Sequence, residues 1–214
     1  AEYFAVAAVQ EGAELRDNGI KAGVILLSLC SKDEIDEAVQ RDIIPLVFDK
    51  EYISLFAETA ARQKKVQRVF LAVDSGMGRL GVNAEEAADI ARFIQSSSYL
   101  ELAGMMTHFA VSDSIEDTDK AYTKEQFRMF SSAVESVRRA GINPGICSCS
   151  SSAASLSEPD MQLDMVRPGI AVYGCYPDGV DRSYLLQRGI DLALKPVMQF
   201  ETQVAAIRRI KAGT

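Results

Sequence analysis

The chain has 214 residues, of which 48% are hydrophobic and 25% are charged, and 30 acidic residues against 23 basic ones give a net charge of −7. This composition is that of a globular protein, and it argues against a disordered or collagen-like chain. No apolar run approaches the roughly 20 residues that span a bilayer, so we expect no membrane partner. The acidic balance and the scarcity of basic clusters argue against nucleic acid as a partner.

The cysteines and the one histidine argue against a metal site. Cys147 and Cys149 form a C-x-C pattern rather than the C-x-x-C of zinc or redox sites. A single histidine leaves too few ligands for a Cys/His zinc site. Most of the cysteines lie in apolar or small-residue stretches, which favours buried, reduced thiols and predicts a cytoplasmic protein.

In chain order, short β-prone runs alternate with amphipathic stretches. Helices are predicted at 10–18, 31–41, 50–64, 83–94 and from 123 to just before Gly141, and the second begins with the capping-box pair Ser31 and Glu34. The predicted strands are 3–7, 24–29, 44–48, 68–74, 102–107, 146–149 and 163–167.

Continuous apolar strands separated by helices indicate a parallel sheet that is buried on both faces. Two α/β architectures fit this pattern, a doubly wound open sheet and a (β/α)8 barrel. Seven strands are one short of a barrel, so residues 1–190 are predicted to form a barrel that lacks its first strand. The β-prone run 195–209 has no helix after it, and we interpret residues 191–214 as the beginning of a C-terminal β-rich domain.

A glycine-rich segment at 76–81 matches the G-x-G-x-x-G pattern of dinucleotide-binding proteins. That pattern normally opens the first βα unit, whereas here it follows the fourth predicted strand. The next strand should end in an acidic residue that binds the ribose, but it ends at Thr107 and His108. The dinucleotide hypothesis is therefore weak, and the glycines could serve simply to turn the chain.

Polar residues follow four of the predicted strands, and the carboxyl ends of parallel strands in a barrel share one rim, where active sites lie. Glycine leaves the backbone open enough for its N–H groups to approach an anion. The pattern predicts a site for a phosphate-bearing ligand. Each residue also has a plainer interpretation: Arg79 could pair with Asp74, Arg167 with Asp160 or Asp164, and His108 could be a hydrogen-bonded spacer. The candidate residues at this rim are Arg79, His108, Ser151, Ser152, Arg167, Gly169 and Ile170.

Several runs together resemble the alanine racemases over essentially the whole chain. They are E-Y-F-A-V-A at 2–7, D-S-G-M-G-R-L-G at 74–81, T-H-F-A at 107–110, S-S-A-A at 151–154 and V-R-P-G-I-A-V-Y-G at 166–174. The resemblance implies a fold-type III pyridoxal-phosphate (PLP) enzyme, an isomerase that supplies D-alanine for the cell wall. It also implies a barrel followed by a β domain, and a homodimer with shared active sites.

The resemblance also implies roles for the rim residues. Arg167 would contact the pyridine nitrogen of PLP, and His108 would pack against the ring. Arg79 would lie near the phenolic oxygen and the substrate carboxylate. The phosphate would be held by Ser152 with the N–H groups of Gly169 and Ile170, beside Ser151.

Two acid–base groups of the family have no counterpart in this sequence. The family's lysine would precede Ala1 and its tyrosine would follow Thr214, so we expect a chain truncated at both ends, inactive by itself and prone to self-association. Two positions depart from the family pattern: Ala72, where many members have lysine, and Ser151, where asparagine is usual. The alternatives are a serine-type racemase, another fold-type III PLP protein, a scaffold and, less favoured, an NAD-dependent oxidoreductase.

Overall fold

The computed structural model describes residues 1–213 and contains one sheet surrounded by helices. The strands are β1 (Tyr3–Val6), β2 (Gly23–Leu26), β3 (Ile43–Val47), β4 (Gln67–Asp74), β5 (Val82–Asn83), β6 (Leu100–Met106) and β7 (Ile146–Ser148). The α-helices are α1 (Val9–Asp17), α2 (Lys32–Gln40), α3 (Lys50–Gln63), α4 (Ala87–Gln95), α5 (Asp117–Arg139), α6 (Ser152–Ser157) and α7 (Arg182–Gln187).

The strand order distinguishes between the two predicted architectures. The strands follow one another in the order β1-β2-β3-β4-β6-β7, every pair is parallel, and the short β5 pairs with the end of β4. A doubly wound sheet reverses its strand order at a switch point, and this sheet does not. The result is a curled, barrel-type parallel sheet with helices, and the predicted fold class is confirmed.

Both faces of the sheet are buried, and alternate residues serve the two sides. In β4, Val69, Leu71 and Val73 pack with the helices in the larger apolar cluster. Their neighbours Phe70 and Ala72 belong to a second cluster on the opposite face. Since strand side chains alternate in direction, this second cluster is the filling of the barrel interior. The other buried members of the inner cluster are Ile25, Ile44, Leu46 and Met106.

The helices follow the sequence signals closely in the first half of the chain and less closely in the second. The N-terminus of α2 is held by the Glu34 carboxylate, which accepts the N–H of Ser31 at 2.8 Å. The long helix α5 begins at Asp117, six residues before its predicted start at Thr123. The sequence did not predict α6, α7 or the short 3₁₀ turns Pro159–Met161 and Ile170–Tyr173. Two of these elements, α6 and the turn Ile170–Tyr173, contribute residues to the cleft described below.

The predicted strand at 163–167 is wrong. The segment runs beside β7, and Asp164 N–H donates to the Cys147 carbonyl at 3.1 Å. However, Leu163 has a positive φ of 51°, which is incompatible with extended backbone. The Asp164 carboxylate also takes the N–H of Cys147 at 2.9 Å, a donor that a strand partner would otherwise use. The Asp164 carboxylate therefore accepts the hydrogen bond that the backbone of a neighbouring strand would accept in a regular sheet.

The predicted strand at 195–209 is also not formed. The structure has no regular element there, and large apolar side chains are almost fully exposed, with Phe200 at 92% and Ile207 at 90%. A strand is stabilised by hydrogen bonds to a neighbour, and within residues 1–213 no strand lies beside this one. The assignment of residues 191–214 to a second domain stays a prediction. Over the described part of the chain, none of the helices has the length and apolar character needed to cross a bilayer.

Candidate active site

Two adjoining cavities, of about 160 and 320 Å³, open at the carboxyl ends of β4, β6 and β7. Both are lined by Met77, His108, Ser151 and Arg167, so they form one continuous cleft. The first cavity adds Arg79. The second adds Ser152, Gly169 and Ile170, so the fold brings every predicted site residue to this cleft.

Arg167 is held in the cleft by hydrogen bonds from its guanidinium. Its guanidinium donates to Ser148 Oγ at 2.5 Å and to the Thr107 carbonyl at 2.8 Å. It forms no ion pair with any residue in 1–213, so the alternative pairings with Asp160 and Asp164 are wrong. Burial lowers the pKa of Arg167 to about 10, which still leaves it charged at neutral pH. The cleft therefore contains a half-buried cation with neutral partners.

His108 lies directly beside this cation, with its Nδ1 atom 3.4 Å from Arg167 Nη2. Burial, together with the charges of Arg167 and then Arg79, lowers the pKa of His108 to about 4. The imidazole is therefore neutral at pH 7. Because a guanidinium can only donate, Nδ1 is the acceptor in this contact and the ring proton belongs on Nε2.

The glycine-rich segment is a tight turn rather than a dinucleotide cradle. Its glycines Gly76, Gly78 and Gly81 all have positive φ, between 70° and 133°. The Asp74 carboxylate closes the turn by accepting the N–H groups of Gly76 and Gly78 at 2.9 and 3.0 Å. A Cβ on Gly81 would overlap the Asp74 backbone, so this position requires glycine.

Arg79 projects from this turn with no fixed partner. It is exposed, and within residues 1–213 it forms no hydrogen bond or ion pair. The alternative pairing with Asp74 is therefore wrong, because that carboxylate is occupied by backbone N–H groups. Ala72, where the family pattern has lysine, lines the same cavity as Arg79 and supplies no polar atom from its side chain.

Ser152 organises the opposite end of the cleft. It is the first residue of α6, and its Oγ accepts the N–H of Gly169 at 2.8 Å and of Ala171 at 3.3 Å. These bonds join α6 to the 3₁₀ turn Ile170–Tyr173. No atom lies within 4 Å of the position that a Cβ would take on Gly169, so the backbone is open to the cleft there. The arrangement is a small, backbone-lined corner suited to an anion.

The residues that support Arg167 were not predicted from the sequence. Ser148, Thr107 and Ser75 are at most 4% exposed, and Ser75 Oγ lies 2.7 Å from Thr107 Oγ1. Their common signal was available: each is a small hydroxyl residue at the carboxyl end of a strand, where apolar side chains otherwise prevail. Tyr122 was missed as well, and its hydroxyl donates to the Gly76 carbonyl at 2.6 Å.

The chemistry of the cleft points to an organic anion rather than a metal ion. No group of three or more His, Cys, Asp and Glu side chains is placed to hold a metal within residues 1–213. The cleft instead combines two arginines, a neutral imidazole, serine hydroxyls and the uncrowded backbone at Gly169. Such a set suits a ligand with both a phosphate and a planar aromatic ring, which can pack against His108.

Comparison with known proteins gives a consistent picture. Residues 1–177 match the family model described as alanine racemase, N-terminal domain. The chain is 43% identical over 212 residues to an alanine racemase of Treponema denticola, covering 99% of this chain and 54% of that protein. It is 35% identical over 216 residues to alanine racemase 2 of Caldanaerobacter subterraneus, covering 100% and 53%. The chain thus spans about half the length of the curated relatives it matches.

The solved structures agree with these matches. An alanine racemase of Clostridium difficile superposes with a TM-score of 0.83 at 32% identity, covering 92% of this chain and 49% of that one. A histidine racemase of Leuconostoc mesenteroides has a TM-score of 0.71 at 24% identity over 82% of this chain and 46% of that one, which is a likeness of fold alone.

Proposed function

The chain belongs to the alanine racemase family, and we propose that the protein containing it is a PLP-dependent isomerase that interconverts L- and D-alanine. The observation that carries this proposal is the cleft itself. One rim brings together a half-buried arginine with neutral partners, a neutral histidine and an open glycine corner, all at positions that match the family's motifs.

The residues present fit PLP. The corner built by Ser152, Gly169 and Ile170 would hold the phosphate, with Ser151 beside it. The adjoining cavity is bordered by His108 and by apolar side chains such as Met77 and Leu80, which suit the flat face of an aromatic ring. When bound, PLP supplies the electron-withdrawing system that acidifies the Cα–H of an amino acid.

Arg167 would face the pyridine nitrogen. A guanidinium only donates, so it can bond that nitrogen in its unprotonated form and oppose its protonation. The absence of any carboxylate paired with Arg167 in 1–213 supports this role, because an acidic partner beside the ring nitrogen would favour the opposite protonation state. A pyridine ring that is less protonated withdraws electrons less strongly, which favours return of the proton to Cα over side reactions.

Arg79 would contact the substrate carboxylate and the phenolic oxygen of the cofactor. Its exposure and its lack of partners in 1–213 leave the whole guanidinium available to a ligand. Inversion at Cα needs a proton acceptor and a proton donor on opposite faces. We propose that both groups come from parts of the protein beyond this chain, one of them from a partner subunit in a homodimer.

We place the protein in the cytoplasm, where D-alanine for cell-wall precursors is made. The four cysteines are free, and Cys30, Cys147 and Cys149 are buried, which is compatible with a reducing compartment. A serine-type racemase is the second candidate, because Ala72 and Ser151 depart from the alanine racemase pattern at the cleft itself.

The test uses the full-length protein. It is incubated with L-alanine in D2O, and D-alanine formation and deuterium at Cα are followed by chiral chromatography and mass spectrometry. We expect both signals with alanine, and rates at least tenfold lower with serine. Deuterium incorporation without D-alanine would contradict racemisation, and faster turnover of serine would favour the second candidate.

A further inference from the structure

Ser148 has an unusual position for a serine side chain. It lies at the end of β7 with no solvent exposure, beneath the floor of the cleft rather than on its surface. Its hydroxyl makes two short hydrogen bonds, donating to the Met165 carbonyl at 2.6 Å and accepting from Arg167 Nη1 at 2.5 Å.

These two bonds give the Ser148 hydroxyl a fixed direction. Its single proton is committed to Met165, so the oxygen presents lone pairs to Arg167 and cannot rotate without losing a buried bond. Met165 and Arg167 lie on the same irregular segment, which replaces the predicted seventh strand. One hydroxyl therefore fixes both the backbone of that segment and the side chain that it carries.

The remaining support for Arg167 is rigid for similar reasons. The Thr107 carbonyl accepts from Nη2, and the Thr107 N–H donates to the Ser148 carbonyl at 3.1 Å. The Thr107 hydroxyl is paired with Ser75 from β4. The ends of β4, β6 and β7 are thus joined beneath the guanidinium by uncharged groups.

A half-buried cation with neutral acceptors depends strongly on each of them. A carboxylate would attract Arg167 over several ångströms and tolerate small movements. A neutral hydroxyl acts only through a hydrogen bond of defined length and angle. Loss of one such bond leaves a buried charged donor unsatisfied and frees the guanidinium to turn.

We propose that Ser148 is a positioning residue that sets the direction in which Arg167 presents its guanidinium to the pyridine nitrogen of PLP. Ser148 does not itself touch the cofactor in this arrangement, and its effect acts through Arg167. The inference rests on the proposed function for the identity of the ligand, whereas the contact between Ser148 and Arg167 is a property of the chain alone.

The chain offers a matched control in Ser150. This serine is also fully buried, lies two residues further along, and donates its hydroxyl to the Met161 carbonyl at 2.6 Å. Its side chain makes no hydrogen bond to Arg167, and its backbone carbonyl, which accepts the Arg167 N–H at 2.9 Å, is kept in Ser150→Ala. Ser148→Ala and Ser150→Ala therefore remove the same atom from equally buried positions, and each deletes one bond to a carbonyl, but only the first deletes an acceptor of the guanidinium.

The experiment compares the full-length protein and these two variants. PLP affinity is measured by fluorescence titration, and the 15N chemical shift of isotopically labelled PLP reports the environment of its pyridine nitrogen. We expect Ser148→Ala to weaken PLP binding by about tenfold, the effect of one lost bond to a charged donor, and to shift the 15N signal. Ser150→Ala should leave the 15N signal in place. An unchanged signal in Ser148→Ala, or equal shifts in both variants, would overturn the proposal.

A second measurement keeps this result separate from the proposed function. In the apoprotein labelled with 15N-arginine, the guanidinium resonances of Arg167 are assigned by their loss in Arg167→Met. Ser148→Ala should increase the rotation rate of that guanidinium, while Ser150→Ala should not. If the wild-type protein binds no PLP, the proposed function fails and this rate alone decides whether Ser148 fixes Arg167. If the rate is unchanged in Ser148→Ala, the positioning role fails whatever the ligand is.

Discussion

The two arginines of the cleft differ in how the chain holds them. Arg167 is joined to the ends of β6 and β7 by two hydrogen bonds, and a neutral histidine lies beside it. Arg79 stands on a glycine turn that the Asp74 carboxylate closes, yet its own guanidinium is exposed and forms no bond within residues 1–213. The turn is fixed while the side chain is not.

This difference follows from the cost of burying charge. The half-buried guanidinium of Arg167 is only partly solvated, so the fold supplies acceptors for its N–H groups. An exposed one is solvated and needs no protein partner. Arg167 is thus oriented before any ligand arrives, whereas Arg79 must be oriented by the ligand or by parts of the protein beyond the described residues. Ala72 contributes to this freedom, because its methyl group offers Arg79 no hydrogen bond.

The largest effect is expected from replacing Arg167, the arginine whose guanidinium is held by hydrogen bonds. Arg167→Met should weaken PLP binding by about a hundredfold or more, because a charged hydrogen bond to the cofactor and the orientation of the site are lost together. The free energy of unfolding of the apoprotein should change by less than about 1 kcal/mol, since relief of a buried cation offsets the lost hydrogen bonds.

Fluorescence titration with PLP and urea unfolding of the same samples check both parts. Loss of several kcal/mol of stability would show that Arg167 is mainly a structural group. Retention of PLP affinity would remove the basis for its role at the pyridine nitrogen.

A smaller effect should appear in the pH dependence of stability. The pKa of His108 is lowered from 6.5 to about 4, so between these values the unfolded chain binds a proton that the folded chain does not. The contribution of His108 to the free energy of unfolding is therefore fully present above pH 6.5 and is lost as the pH decreases towards 4, by roughly 3 kcal/mol. Burial is the main cause of the lowered pKa of His108. The loss of stability therefore measures how well the part of the cleft around Arg167 excludes water.

Urea unfolding of wild type and His108→Gln at several pH values between 4 and 7 isolates this contribution, because other groups titrate equally in both. The free energy of unfolding of the wild type minus that of His108→Gln should decrease as the pH falls. A constant difference would mean that His108 titrates normally and that this side of the cleft is open to solvent.

The smallest effect is expected on the other side of the cleft. Arg79→Met should change the free energy of unfolding by less than about 0.5 kcal/mol, as for exposed substitutions that remove no contact. Thermal and urea unfolding of the apoprotein check this, with Gly81→Ala as the contrasting variant that strains the turn itself. A loss above 1 kcal/mol in Arg79→Met would show that the two arginines are held alike.

The first half of the fold was predictable from local patterns. Apolar runs such as 44–48 and 68–74 appear as β3 and β4, and the Ser31 and Glu34 pair marks the start of α2. These signals are reliable because each strand is buried on both faces and each helix has one apolar side. The second half was harder, because the short helix α6 and the turn after Gly169 are stabilised by Ser152 and by neighbours distant in sequence.

The candidate site was likewise only partly predictable from the sequence. The motifs identified Arg79, His108, Ser152, Arg167 and the Gly169 corner, since charged and glycine residues at strand ends are visible in the sequence. Ser148, Thr107 and Ser75 were not visible as a group, because they lie at the ends of three separate strands and act through short hydrogen bonds.

The sequence by itself determined the parallel α/β architecture, the rim on which the site lies and the family, because apolar periodicity and ordered motifs are properties of the chain. Only the tertiary structure decided that 163–167 is not a strand, that Arg79 has no partner within residues 1–213 and that Arg167 is held by neutral groups. The physical reason is that hydrogen bonds of fixed length between distant segments depend on how the strands are placed. In that arrangement, burial keeps His108 neutral, and hydrogen bonds fix the direction of Arg167.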